Sequence, residues 1–150
     1  MGDPSRFLSL PPLGPPWGYG FAAVWGAAWG SFFNVAIHRL ADGESGLRSL
    51  LGPPSHCPSC RTPIPIYDNV PVLSWLWLRG RCRSCRVRIP IRYPLVELLG
   101  IGAALLVYHR FVLGHPDALA LVLCRFLVYF LFVGTLTVLS FIDLRAMLLP

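Results

Sequence analysis

The chain has 150 residues, 55% of them apolar and 13% charged, and its mean hydropathy is +0.59. That balance excludes an ordinary soluble domain and points to membrane spans. The net charge is +6 and its basic side is all arginine, with no lysine, a uniformity that bidentate arginine chemistry would not need at every position.

Residues 1–16, with the run PPLGPP, read as an irregular lead-in. Residues 17–37 follow without a charge over 21 positions. A helix of that length crosses a hydrocarbon core of about 30 Å at about 1.5 Å per residue. A signal peptide is the competing reading, but the start is not strongly basic and no small-residue cleavage site follows. Asn34, His38 and Arg39 form a polar group at the end of this span, either a helix cap or the edge of a site.

Residues 38–93 are polar, broken by proline, and hold nine of the 13 arginines against three acids, Asp42, Glu44 and Asp68. Cytoplasmic loops collect arginine, so this loop is expected inside and the N-terminus outside. The same rule accounts for the basic charge without nucleic acid, which would want aromatics interleaved with base-reaching groups. Trp75 and Trp77 sit instead in the apolar run VPVLSWLWL and read as interfacial anchors.

The loop contains a near-duplicate. CPSCRTPIPI from Cys57 is followed 25 residues later by CRSCRVRIPI from Cys82, with seven of ten positions identical. Each copy supplies a Cys-x-x-Cys turn, which presents two sulfurs to one edge of a metal. A tetrahedral ion has two such edges, so Cys57, Cys60, Cys82 and Cys85 are the candidate ligands of a structural Zn2+ site. Disulfides are the alternative, disfavoured in a reducing cytoplasm; a redox pair is disfavoured by the lack of a βαβ pattern. Four thiolates leave no open position for water, so the metal is expected to hold a small β-rich knuckle together.

Residues 94–113 form a second apolar segment, with Glu97, His109 and Arg110 near its ends, and residues 118–142 form a third, interrupted by Arg125. Gly100-Ile-Gly102 lies inside the second span and so fails the strand-then-helix test for a dinucleotide fingerprint; small residues there let helices pack closely. Cys124 reads as a buried apolar side chain. Glu97 could reach water at the inner end, and Arg125 could snorkel to the outer one. These elements describe an all-α polytopic membrane protein of about three transmembrane helices with a small cytoplasmic zinc-knuckle loop. Residues 143–150 begin with Asp143, in FIDLRAMLLP. It is either the charge that ends a span or an acid held at the membrane boundary to take and give a proton.

GSFFNVAIHRL, the paired CPSC and CRSC, NVPVLSWLWLRGRC, IRYPLVELL and FIDLRAMLLP occur in this order over residues 20–150. Together they resemble the type IV prepilin peptidases, the bacterial leader peptidases of type IV pilus and type II secretion systems. The resemblance implies a multi-pass enzyme of the inner membrane, an aspartic endopeptidase that removes the basic leader of prepilins and pseudopilins on the cytoplasmic side. It implies that the first catalytic aspartate falls on Asp143, and that S-adenosylmethionine serves as methyl donor where the new N-terminus is methylated. In such a site two carboxylates share one proton, one activating water and the other polarising the scissile amide. The family's second aspartate, in a Gly-x-Gly-Asp motif, has no counterpart before Pro150, so the expectation is an amino-terminal part that is inactive alone. Arg125 also departs from the family's span. The alternative is a non-catalytic zinc-binding membrane module or an assembly partner.

Overall fold

The structure, a computed structural model, describes residues 16–43, 55–113 and 119–147. Most of the lead-in, the loop positions 44–54 with Glu44, and the last three residues lie outside these.

Helix α1 runs Pro16–Ala41. A 3-10 turn, Ile66–Asn69, and a short helix α2, Leu73–Trp77, interrupt the loop that follows. Helix α3 covers Arg92–Val107 and ends in a π turn, Tyr108–Val112. Helix α4 covers Leu119–Met147. Prolines sit where they cost little. Pro16 opens α1 and Pro94 lies in the first turn of α3, where a helix has no partner for the missing N–H. Among the described residues three stretches are long and apolar enough to cross a membrane: Trp17–Ala41, Arg92–Val112 and Ala120–Arg145. The third helix does not stop at Ile142. It carries Asp143 and Arg145 in its last turns.

The spans run up, down and up, and different chemistry holds each seam. Between α1 and α3 the seam is backbone on backbone. Gly26 and Gly30 are spaced as GxxxG, and Gly100 of α3 fits between them: a Cβ at Gly30 would lie 2.7 Å from the Glu97 Cα, and one at Gly100 2.5 Å from the Gly26 carbonyl oxygen. Gly102 faces open space, so of the two glycines in the sequence Gly-Ile-Gly only one serves packing. Between α1 and α4 the seam is aromatic. Trp25, Trp29 and Phe33 meet Phe126 and Phe130 at ring separations of 6.1–6.4 Å, and the Phe33 ring lies where a side chain at Gly134 would stand. Phe130 and Ile37 are the large side chains sealed at the centre with Val96.

Polar contacts close the two ends. At one, the Tyr19 hydroxyl and His109 Nδ1 are 2.9 Å apart. At the other, Arg145 of α4 reaches the end of α1, pairing with the Asp42 carboxylate at 2.5 Å, and His38 pairs with the same carboxylate at 2.8 Å. The buried Asn34 donates its amide to the Tyr93 carbonyl at 2.9 Å, tying α1 to the first turn of α3. Asn34 thus joins helices, while the His38 ring pairs within the end of α1 and its carbonyl accepts from Arg145 at 3.5 Å. Cys124, expected to be buried, is exposed on the outer face of α4, because a span turns much of its apolar surface towards lipid.

Candidate metal centre and membrane-boundary aspartate

The duplicated decapeptide folds twice in the same way. In each copy the first cysteine's carbonyl accepts from the arginine after the second cysteine: Arg61 N to Cys57 O at 2.8 Å, Arg86 N to Cys82 O at 3.1 Å. The first cysteine's amide donates onward, Cys57 to Thr62 O at 3.0 Å and Cys82 to Val87 O at 2.9 Å. A third bond closes each loop, Ile64 N to Ser55 O and Ile89 N to Gly80 O, both 2.8 Å. Arg61 and Arg86 adopt left-handed backbone, φ 57° and 60°, a conformation that ordinarily costs an L-residue about 1–2 kcal/mol. The knuckles are not β-rich as expected. Among the described residues β structure is limited to two isolated antiparallel pairings, His56 with Pro63 and Arg81 with Arg88. Pro63 and Pro65, and Pro90 in the second copy, lack the N–H that would extend a ladder.

The two turns bring four sulfurs together. The Sγ atoms of Cys57, Cys60, Cys82 and Cys85 all lie within 4.8 Å of one another. Cys57 Sγ and Cys85 Sγ, one from each knuckle, are 3.8 Å apart. A tetrahedral zinc with bonds of about 2.3 Å separates its sulfurs by about 3.8 Å, whereas a disulfide needs about 2.05 Å. The cysteines are all free thiols. The donor set therefore fits a four-thiolate metal ion. Electrostatics agree. The hydrogen bond between Cys60 and the Thr62 hydroxyl, with the Thr62 backbone, brings the Cys60 thiol down to about 6. Backbone amides of Cys85 and Ser84 lower Cys82. Cys85 has the Val87 amide in its favour, yet desolvation and the three neighbouring sulfurs push it up to about 11. Some thiolates form readily and make the last one hard to form; a dication at their centre removes that conflict.

Three contacts fasten this cluster to the rest of the chain. Arg83, inside the second Cys-x-x-Cys turn, makes a bidentate pair with Asp68 at 2.5 and 2.6 Å and lies over the Tyr67 ring. The Trp75 indole donates to the Ile89 carbonyl at 3.1 Å and packs on Gly80. Trp75 is thus a post beneath the second knuckle rather than a membrane anchor, while Trp77 stays exposed. Glu97, read from sequence as reaching for water, accepts the Val72 amide at 2.7 Å. That bond holds Val72 at φ 61°, a rare conformation for a β-branched residue. A valine before a helix carries no sequence signal of it.

Asp143 is exposed on α4, two residues before the Arg145 that binds Asp42. It makes no hydrogen bond or ion pair among the described residues. Among the described residues the other acids at this end are engaged: Asp42 by Arg145 and His38, Asp68 by Arg83, Glu97 by the Val72 amide.

Comparison with known proteins places this arrangement. Residues 24–111 match the family model described as the bacterial peptidase A24 N-terminal domain. A prepilin leader peptidase/N-methyltransferase of Pectobacterium carotovorum subsp. carotovorum is 37% identical over 92% of this chain and 52% of its own length. One of the same name from Aeromonas hydrophila is 39% identical over 91% of this chain and 51% of its own length. Another from Neisseria gonorrhoeae is 42% identical over 56% of this chain and 36% of its own length. The chain thus spans about half the length of the first two relatives. No solved structure matches it. By these matches the chain belongs to the bacterial A24 prepilin leader peptidase family and carries its N-terminal domain.

Proposed function

We propose that these residues form the amino-terminal part of an inner-membrane aspartic endopeptidase that cuts the leader from type IV prepilins or pseudopilins. The observation that carries the reading is the match, over nine-tenths of this chain, to proteins named prepilin leader peptidase/N-methyltransferase. The exposed Asp143 supports it, standing at the helix end that faces the loop. In this reading residues 38–93 are cytoplasmic, so the cut is made where basic leaders lie.

Asp143 supplies one carboxylate, which activates water or holds the proton that polarises the scissile amide. One group cannot do both at once. Because Asp42, Asp68 and Glu97 are each committed elsewhere, the second carboxylate comes from outside the described residues. Cys57, Cys60, Cys82 and Cys85 would hold Zn2+, which supplies a fixed tetrahedral crosslink and no catalytic water. N-methylation, the second activity in the relatives' names, would consume S-adenosylmethionine.

The test is Asp143→Asn in a preparation that cleaves a prepilin. Cleavage is expected to vanish while membrane retention and metal content hold. Unchanged cleavage would favour the second reading, a non-catalytic zinc-binding membrane module or assembly partner. The lack of a second unengaged acid among the described residues is the observation on that side.

A further inference from the structure

We propose that the segment between the two knuckles is a membrane-seated foot: the outward face of α2 sits in the headgroup region of the bilayer, and arginines of the second knuckle hold anionic phospholipid headgroups beside it. The inference rests on the membrane spans and is independent of peptidase chemistry.

Helix α2 has two faces. Trp75 turns inward to Gly80 and the Ile89 carbonyl. Leu73, Leu76 and Trp77, at helical spacing i, i+3 and i+4, turn outward and are 65%, 58% and 82% exposed. Ile66 and Tyr67 of the preceding turn are exposed too, at 91% and 67%. So much large apolar surface on so short a segment marks an interaction site.

The position of the segment selects the occupant. Glu97 lies in the second turn of a membrane span and grips the Val72 amide, the residue before α2. The first turn of α2 is therefore held at the side of a span, level with the bilayer boundary. That span exposes large apolar side chains of its own near the same end, Leu95, Leu98 and Leu99. Tryptophan and leucine beside basic groups are the residues that settle at this depth.

Charge agrees. Between Ser55 and Tyr93 the chain has seven arginines and one acid, Asp68, and that acid is taken by Arg83. Arg79, Arg81, Arg86 and Arg88 are exposed around the second knuckle. Guanidinium groups pair with phosphate through two parallel hydrogen bonds, and basic groups next to a membrane are drawn to anionic lipid.

The experiment uses the purified chain with its metal, one copy per lipid nanodisc. Tryptophan emission of wild type minus that of Trp77→Phe isolates Trp77. In discs with brominated acyl chains the Trp77 emission is expected to be blue-shifted and quenched most by bromine near the headgroup. Adding phosphatidylglycerol to phosphatidylcholine deepens the quenching, and the combined variant Arg79→Gln, Arg81→Gln, Arg86→Gln, Arg88→Gln loses that increment. If Trp77→Phe loses its metal, hydroxyl-radical footprinting of the wild-type chain replaces it: Trp77 in discs is expected to be labelled severalfold more slowly than in a free peptide of residues 70–80. Water-like, unquenched emission, or labelling as fast as in the peptide, overturns the proposal. Shielding seen only with two copies per disc, or only with an added acidic protein, also overturns it in favour of that partner.

Discussion

At the scale of single residues, identity and hydrogen-bond partner decide what each group does. Cys57 is buried and Cys85 exposed, yet each holds one vertex of the same cluster. Replacing either by serine is expected to take the metal-to-protein ratio from one towards zero in elemental analysis, whereas Cys124→Ser leaves it at one. A ratio near zero in wild type purified without oxygen would sink the metal site. Asp68 illustrates linkage. Its hydrogen bonds from Arg83 hold the carboxyl below the usual carboxylate range. A lowered native value means the charged form stabilises the fold: the contribution is fully present above about pH 4, the ordinary value of a free aspartate, and is lost as acid protonates Asp68. Arg83 is 49% exposed, so solvent screens the pair and the effect is small. Asp68→Asn is expected to speed proteolysis between the knuckles modestly at pH 7, by a margin that shrinks as the pH falls below about 4.

At the scale of elements, the α1–α3 seam depends on the absence of side chains. Gly100→Ala puts a methyl group 2.5 Å from the Gly26 carbonyl oxygen, backbone that cannot step aside. Overpacking of this kind costs about 1–3 kcal/mol. Gly102→Ala points into open space and is expected to be neutral or to gain about 0.5–1 kcal/mol from helix propensity. Thermal unfolding in detergent compares the two; equal effects would mean that the helices do not meet at Gly100. The knuckles are elements of another kind. Each is a turn closed by three backbone bonds, and neither has a core of its own.

At the scale of the whole molecule, two bodies of different origin are joined. The helical bundle is held by glycine contacts and stacked rings, the loop by sulfur. A chelator is therefore expected to open residues 55–91 to protease while the three spans survive as protected fragments. Cooperative loss of the spans on chelation would show instead that the joint between loop and bundle, Glu97 with Val72, carries the stability of the bundle.

By itself the sequence determined the parts that depend on pattern. Long uncharged runs announced three spans, because a bilayer core accepts no unpaired backbone and few charges. Two copies of one decapeptide announced a four-sulfur centre, because ligand spacing along the chain is most of what such a site requires. Only the tertiary structure decided the contacts between distant positions. It placed Gly100 against Gly26 and Gly30, and turned Trp75 inward while leaving Trp77 outside. It set Arg145 on Asp42 across 103 residues of chain and gave the Glu97 carboxylate to the Val72 amide. The small residues Gly26, Gly30 and Gly100 mark packing faces in the sequence but not which face meets which, and the other contacts have no local signature, because each depends on surfaces that meet only in the fold.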